Sequence, residues 1–224
     1  MIRLRRVGRT MLASVALSGF AHAAGILDDT AKDGARFLGG FVIGNQFTVG
    51  AANVSINALG VWDQGGNGLV LSHDVGLWNS AGALVASATV PAGTAGVLDD
   101  AYRYITLGSS VILLAGQQYR VAALFQTVDD PFNDPWDPDG DGNPFGSPAV
   151  GDGVAVIAGG GVATVNGDYF TASGVLVEPV NFGGGTPGRW GAANAKVVPE
   201  PTSLALGGVC GMLALLHRRR NASL

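Results

Sequence analysis

The chain has 224 residues, 47% of them apolar and 13% charged, and a formal net charge of −4 at pH 7. Gly 36 and Pro 10 together make about a fifth of it, short of the roughly 25–30% that marks low complexity. High apolar content with little charge excludes a disordered chain, and the acidic balance excludes a nucleic-acid binder.

The N-terminus predicts an export signal. Arg3, Arg5, Arg6 and Arg9 form a basic start, Met11 to Phe20 is an apolar run, and Ala21-His22-Ala23 supplies the small-x-small pattern that signal peptidase accepts. Residues 1–23 therefore read as a signal peptide cut after Ala23. The apolar run is too short to span a bilayer, which needs about 20 residues.

The body that follows, residues 24–198, carries strand signals almost throughout. Short β-branched or aromatic runs alternate with Gly, Asn, Asp and Pro clusters. The pattern predicts strands at Phe41–Thr48, Val54–Trp62, Leu69–Trp78, Ala83–Val90, Tyr102–Leu107 and Val111–Leu113. It predicts further strands at Tyr119–Gln126, Val154–Ala158, Val162–Val165, Tyr169–Val177 and Lys196–Val198. In the clearest of these, Tyr119, Val121, Ala123 and Phe125 face one way, and Arg120, Ala122, Leu124 and Gln126 the other. Two hairpins are predicted, one through Asp63-Gln64-Gly65-Gly66-Asn67-Gly68 and one through Asn79-Ser80-Ala81-Gly82. Evenly spaced strands with no long helical window give an all-β class: a two-sheet β-sandwich, with a jelly roll as its variant.

Within this body, chemistry-bearing residues are sparse. The only cysteine, Cys210, lies near the C-terminus, so the body has neither a disulfide nor a thiolate metal site. Its one histidine, His73, precedes Asp74 on a strand, where neighbours point to opposite faces and do not form one site. No G-x-S-x-G elbow occurs, and Glu178 is the body's only glutamate. These features favour a non-enzymatic protein over an extracellular hydrolase. Trp62, Trp78, Trp136 and Trp190 are stacking candidates for sugars. Trp62 and Trp78, in the near-copies Gly60-Val61-Trp62-Asp63 and Gly76-Leu77-Trp78-Asn79, read as sheet-packing residues. Trp136 lies in a polar loop and is the one to test.

That loop, residues 129–149, holds Asp129, Asp130, Asp134, Asp137, Asp139 and Asp141 among five prolines. Asp137, Asp139 and Asp141 followed by Gly142 match the first half of a D-x-D-x-D-G calcium loop, in which alternate carboxylates converge on one ion. The twelfth position is Pro148 rather than glutamate. The segment is thus either a Ca²⁺ site completed by a distant carboxylate such as Asp152, or a solvated acidic loop stiffened by proline.

At the C-terminus, Pro199-Glu200-Pro201 precedes an apolar stretch, Thr202 to Leu216, and the cluster Arg218, Arg219, Arg220. Fifteen residues make a helix of roughly 22 Å, enough for a short transmembrane span with snorkelling arginines as a cytoplasmic anchor. This three-part ending, residues 199–224, resembles the PEP-CTERM sorting signal of exported proteins in exopolysaccharide-producing Gram-negative bacteria. The resemblance implies recognition of Pro199, Glu200 and Pro201 by an exosortase in the inner membrane, cleavage nearby and release of the body. Removing both ends takes 13 basic residues to 6 and 17 acidic ones to 16, a net charge near −10. Such a body repels phosphate backbones and anionic membranes and suits cations or neutral sugars.

The stretch Phe41 to Phe125 has a resemblance of its own. Gly60-Val61-Trp62-Asp63, Gly68-Leu69, Ser72 to Trp78 and Ala86-Ser87-Ala88-Thr89-Val90 are similar to a bacterial domain of unknown function found ahead of PEP-CTERM signals. This implies a β-sandwich in a surface or matrix setting and transfers no catalytic residue. The sequence thus leads to an exported structural or adhesive protein of the cell surface, exopolysaccharide or biofilm. Its partners would be signal peptidase, exosortase, the inner membrane transiently, and exopolysaccharide. A calcium-supported carbohydrate-binding module is the alternative.

Overall fold

Runs of β-branched and aromatic residues satisfy their backbone by pairing, and here they pair into two antiparallel sheets. The computed structural model describes residues 25–27, 35–132, 163–184 and 190–198, all within one compact unit, Ala23–Glu200. The strands are β1 (Phe41–Val49), β2 (Val54–Trp62), β3 (His73–Asn79), β4 (Leu84–Val90) and β5 (Val97–Asp99). They continue as β6 (Tyr102–Leu113), β7 (Gln118–Phe125), β8 (Ala163–Ala172), β9 (Asn181–Gly184) and β10 (Ala193–Val197). A six-stranded sheet runs β4-β3-β7-β1-β8-β9 and a four-stranded sheet β10-β2-β6-β5. The described residues are therefore all-β, with two sheets packed over one core. The only helical element among the described residues is a 3₁₀ turn, Gln64–Gly66.

The alternation in β7 holds as expected. Tyr119, Val121, Ala123 and Phe125 face the core between the sheets, with Phe47, Ile56, Leu59 and Leu77. Ala122 and Leu124 face outward, where they meet Val42 and Trp78. An extended segment after β8 crosses that outer face and lays Leu176 and Val177 on it. Leu176 and Val177 thus cover the sheet, and the segment after Ala172 is not, as the sequence pattern suggested, the end of a strand. Trp78 folds back over Gly76, where a Cβ would run into the indole ring. Trp62 is buried against Tyr102, with ring centroids 5.5 Å apart. Both tryptophans are packing residues.

Of the two expected hairpins, one forms. Asn79 donates to the Ala83 carbonyl at 3.0 Å and its side-chain oxygen accepts from Ala81 and Ala83, closing β3 onto β4. Gly82, at φ +78°, completes the turn. The Asp63–Gly68 segment is instead a crossing between sheets, because β2 belongs to the narrow sheet and β3 to the wide one. Asp63 decides this. Its buried carboxylate accepts the Gly68 amide at 3.1 Å and the Arg103 Nε at 2.8 Å, and so curls the chain away from β2. After the crossing, Leu69 exchanges backbone hydrogen bonds with Gly93, and β3 starts only at His73.

The expected strands on either side of Gly108-Ser109-Ser110 are one strand, β6, whose pairing with β2 jumps register between Ile56 and Ala58. Likewise β8 joins two expected strands through an irregularity at Gly167. β5 and β9 were not expected. The expected strand Val154–Ala158 lies outside the described residues, as do the signal peptide 1–23 and the terminal segment 199–224. Among the described residues no helix is long and apolar enough to cross a membrane.

Candidate functional site

The two sheets differ in width, and this difference makes the site. The narrow sheet packs against β4, β3, β7 and β1 through β6, β2 and β10. The inner face of β8 and β9 overhangs it. Three side chains from loops cover that overhang: Arg36, Phe132 and Trp190. Between them and the sheet is a cleft of about 350 Å³, lined also by Leu38, Phe41, Ile43, Phe170, Phe182 and Gly183.

Its walls are mostly aromatic. Trp190 meets Phe132 and Phe170 edge-on, with centroids 6.1 and 6.0 Å away, and Phe41 lies 6.3 Å from Phe170. The Arg36 guanidinium sits 5.9 Å from the Phe132 ring and 5.8 Å from the Trp190 ring, within cation–π range. Gly183 leaves room for the indole, since a Cβ there would collide with it.

Two buried carboxylates hold these walls. Asp168, fully buried on β8, accepts the Trp190 amide at 3.0 Å and the Asn45 side-chain amide at 2.9 Å. Asp130 accepts the amides of Val70 and Leu71, each at 2.8 Å, and faces His73 Nε2 at 3.0 Å. His73 Nδ1 donates to the Leu124 carbonyl at 2.9 Å. Two residues on, Phe132 exchanges two backbone hydrogen bonds with Arg36 and packs 5.7 Å from Phe125. Burying a carboxylate is unfavourable unless hydrogen bonds surround it, so each carboxylate fixes a geometry. Chemically, the lining offers flat apolar faces and one cation. Such a surface can hold the face of a ring.

Of the sequence candidates, His73 is a buried strand histidine, as its position suggested. Asp74 points to the opposite face and accepts the Thr89 hydroxyl at 2.6 Å. Glu178 forms an ion pair with Arg120, whose guanidinium lies 4.5 Å from the Tyr169 ring. The structure therefore does not bring Asp74 or Glu178 to His73. Among the described residues, Trp190 is the stacking candidate that reaches the cleft. Asp130, counted with the acidic loop, is not solvated: it is 5% exposed. Asp137, Asp139, Asp141 and Asp152, with Trp136, lie outside the described residues. So do Pro199, Glu200, Pro201 and Arg218, Arg219, Arg220. Among the described residues no group of three or more His, Cys, Asp or Glu could hold a metal ion.

Sequence reasoning missed Phe132 and Phe170, which meet Trp190, and Phe41 beside Phe170. They come from three separate segments, and only the tertiary fold brings them together. Comparison with protein-family models, with curated proteins and with solved structures returns no match.

Proposed function

We propose that this protein is an exported, non-catalytic structural or adhesive component of the cell surface or exopolysaccharide matrix. In this reading signal peptidase removes residues 1–23. The body crosses the inner membrane, and the helix 202–216 holds it there until an exosortase acts at Pro199-Glu200-Pro201. The body then resides outside, as a sandwich of jelly-roll-like type. Wide-sheet neighbours that are distant in sequence, β3 beside β7 and β1 beside β8, support that topology.

The observation that carries the adhesive role is the aromatic cleft under the β8–β9 overhang. Stacked aromatic faces hold sugar rings without chemistry. An acidic body disfavours a phosphate or an anionic lipid, and an aromatic recess suits the apolar face of a sugar ring. The same cleft favours the second reading, a carbohydrate-binding module, in which Asp137, Asp139 and Asp141 would add a Ca²⁺ ion.

Mass spectrometry of the protein from cells and from medium tests the sorting reading. Released protein should lack Arg218, Arg219 and Arg220 and begin after Ala23. Released protein that retains the arginine cluster would overturn it. Co-sedimentation with the cell's own exopolysaccharide, in chelator and in millimolar calcium, separates the two roles. Retention that needs calcium supports the module, and retention without it supports the matrix component.

A further inference from the structure

A neutral imidazole donates from one ring nitrogen and accepts at the other; only the doubly protonated ring donates from both. His73, 3% exposed at the start of β3, has an acceptor on each side. Its Nδ1 lies 2.9 Å from the Leu124 carbonyl oxygen and its Nε2 3.0 Å from Asp130 Oδ2. Neither partner has a proton to offer. A carbonyl oxygen only accepts, and the Asp130 carboxylate already accepts the amides of Val70 and Leu71, one on each oxygen. Two ring donors facing two acceptors make His73 and Asp130 a buried ion pair.

We propose that His73 and Asp130 are a proton-operated latch on the Phe132 wall of the cleft, closed while both ring nitrogens carry a proton and released when one is lost. On release a ring lone pair faces an oxygen lone pair, and a buried carboxylate loses its cation. The displacement passes along the chain. Pro131, with its fixed φ, is the single residue between Asp130 and Phe132, so the two move together. Phe132 in turn holds Arg36 through two backbone hydrogen bonds, 2.9 and 3.0 Å long. Asp130 also fixes the crossing segment at Val70 and Leu71, so one proton joins β3, the crossing and the cleft wall.

The surroundings leave that proton to this pair. Among the described residues, β4 and the segment Gly68 to Ser72 carry no charged side chain. From β7 come the Leu124 carbonyl and the Phe125 ring, whose centroid is 4.9 Å from that of His73, while Arg120 of the same strand pairs with Glu178. Asp74 points to the opposite face, bonded to Thr89, and Asp129 accepts the Thr127 hydroxyl at 2.6 Å. Arg36 lies against the Phe132 ring. The proton stabilises the closed latch. Its contribution is therefore full on the acid side and is lost as pH rises and the ring becomes neutral.

The test is nitrogen NMR of the full chain in non-ionic detergent, from about pH 5 to about pH 9, a span that brackets histidine. At the acid end both His73 ring nitrogens should give imidazolium shifts. As the ring loses its proton, the hydrogen-exchange protection factors of the Arg36 and Phe132 amides should fall about tenfold, with the same midpoint. In His73→Gln that step should be absent. Three results would overturn the proposal: a neutral His73 ring at the acid end, a ring that keeps its second proton wherever the protein is folded, or a ring that loses it with no change at Arg36 and Phe132. So would the same step in His73→Gln, and if that variant does not fold, the parent's NMR decides alone. A consequence for retention rests on the function proposed above: exopolysaccharide binding should weaken on the alkaline side with the same midpoint. An exchange step to which retention is indifferent would remove the cleft's adhesive role and leave the latch standing.

Discussion

The wide sheet is one sheet with two kinds of inner face. Under the narrow sheet, aliphatic residues with Phe47, Tyr119 and Phe125 close the core, because strands on both sides exclude water. Under the β8–β9 overhang there is no such lid among the described residues, and the face is lined by aromatic side chains, with Phe132 and Trp190 delivered by loops and held by buried carboxylates. The contrast teaches that a sandwich of unequal sheets exchanges self-sufficient packing for a cleft. The residues that define the cleft depend on polar anchors to stay in place.

Substitutions can break that contrast. The largest effect belongs to the covered half: Phe47→Ala should cost about 3–5 kcal/mol in urea unfolding, because a fully buried ring leaves a cavity. Next comes the anchor of the other half. Asp130→Ala leaves His73 and the amides of Val70 and Leu71 without their acceptor and should cost about 3 kcal/mol. Retention on exopolysaccharide should fall with it, since Phe132 loses its mooring. Gly183→Ala should cost less, about 1–3 kcal/mol, by pushing the Trp190 indole out of the cleft. Here retention should drop further than stability does, and equal losses would show that the cleft is only packing. Phe182→Ala, at a residue 57% exposed, should change stability by no more than about 0.5 kcal/mol. A larger loss would mean that the overhang is as tightly packed as the covered half.

Most of the covered half was legible. Period-two alternation in β7 and the Asn79–Gly82 turn signal are local, and local signals survive folding. What failed was non-local. Asp63-Gln64-Gly65-Gly66-Asn67-Gly68 has hairpin composition, yet the buried ion pair with Arg103, forty residues away, turns it into a crossing. Strand β5 is too short to stand out and β9 too short and glycine-rich, and pairing with β6 and β8 makes them strands. Within the cleft, Trp190 was visible as a stacking candidate. The rings around it were not, because Phe41, Phe132 and Phe170 lie far apart along the chain. Nor could the pattern separate Asp130 from its acidic neighbours, since only burial beside His73 does so.

The segment 25–27 lies antiparallel beside β10, so Gly25 and Val198 leave the body at the same end of one edge. A tether fixed to one of these points and a load on the other would not shear the sheets. The load would open the bonds of Ile26 to Ala195 and of Val198 to Ser55 first, and then the two bonds between Asn194 and Leu27, one after another like a zipper. Under tension the body therefore gives way at a small, renewable fastening while the rest of the sandwich stays closed.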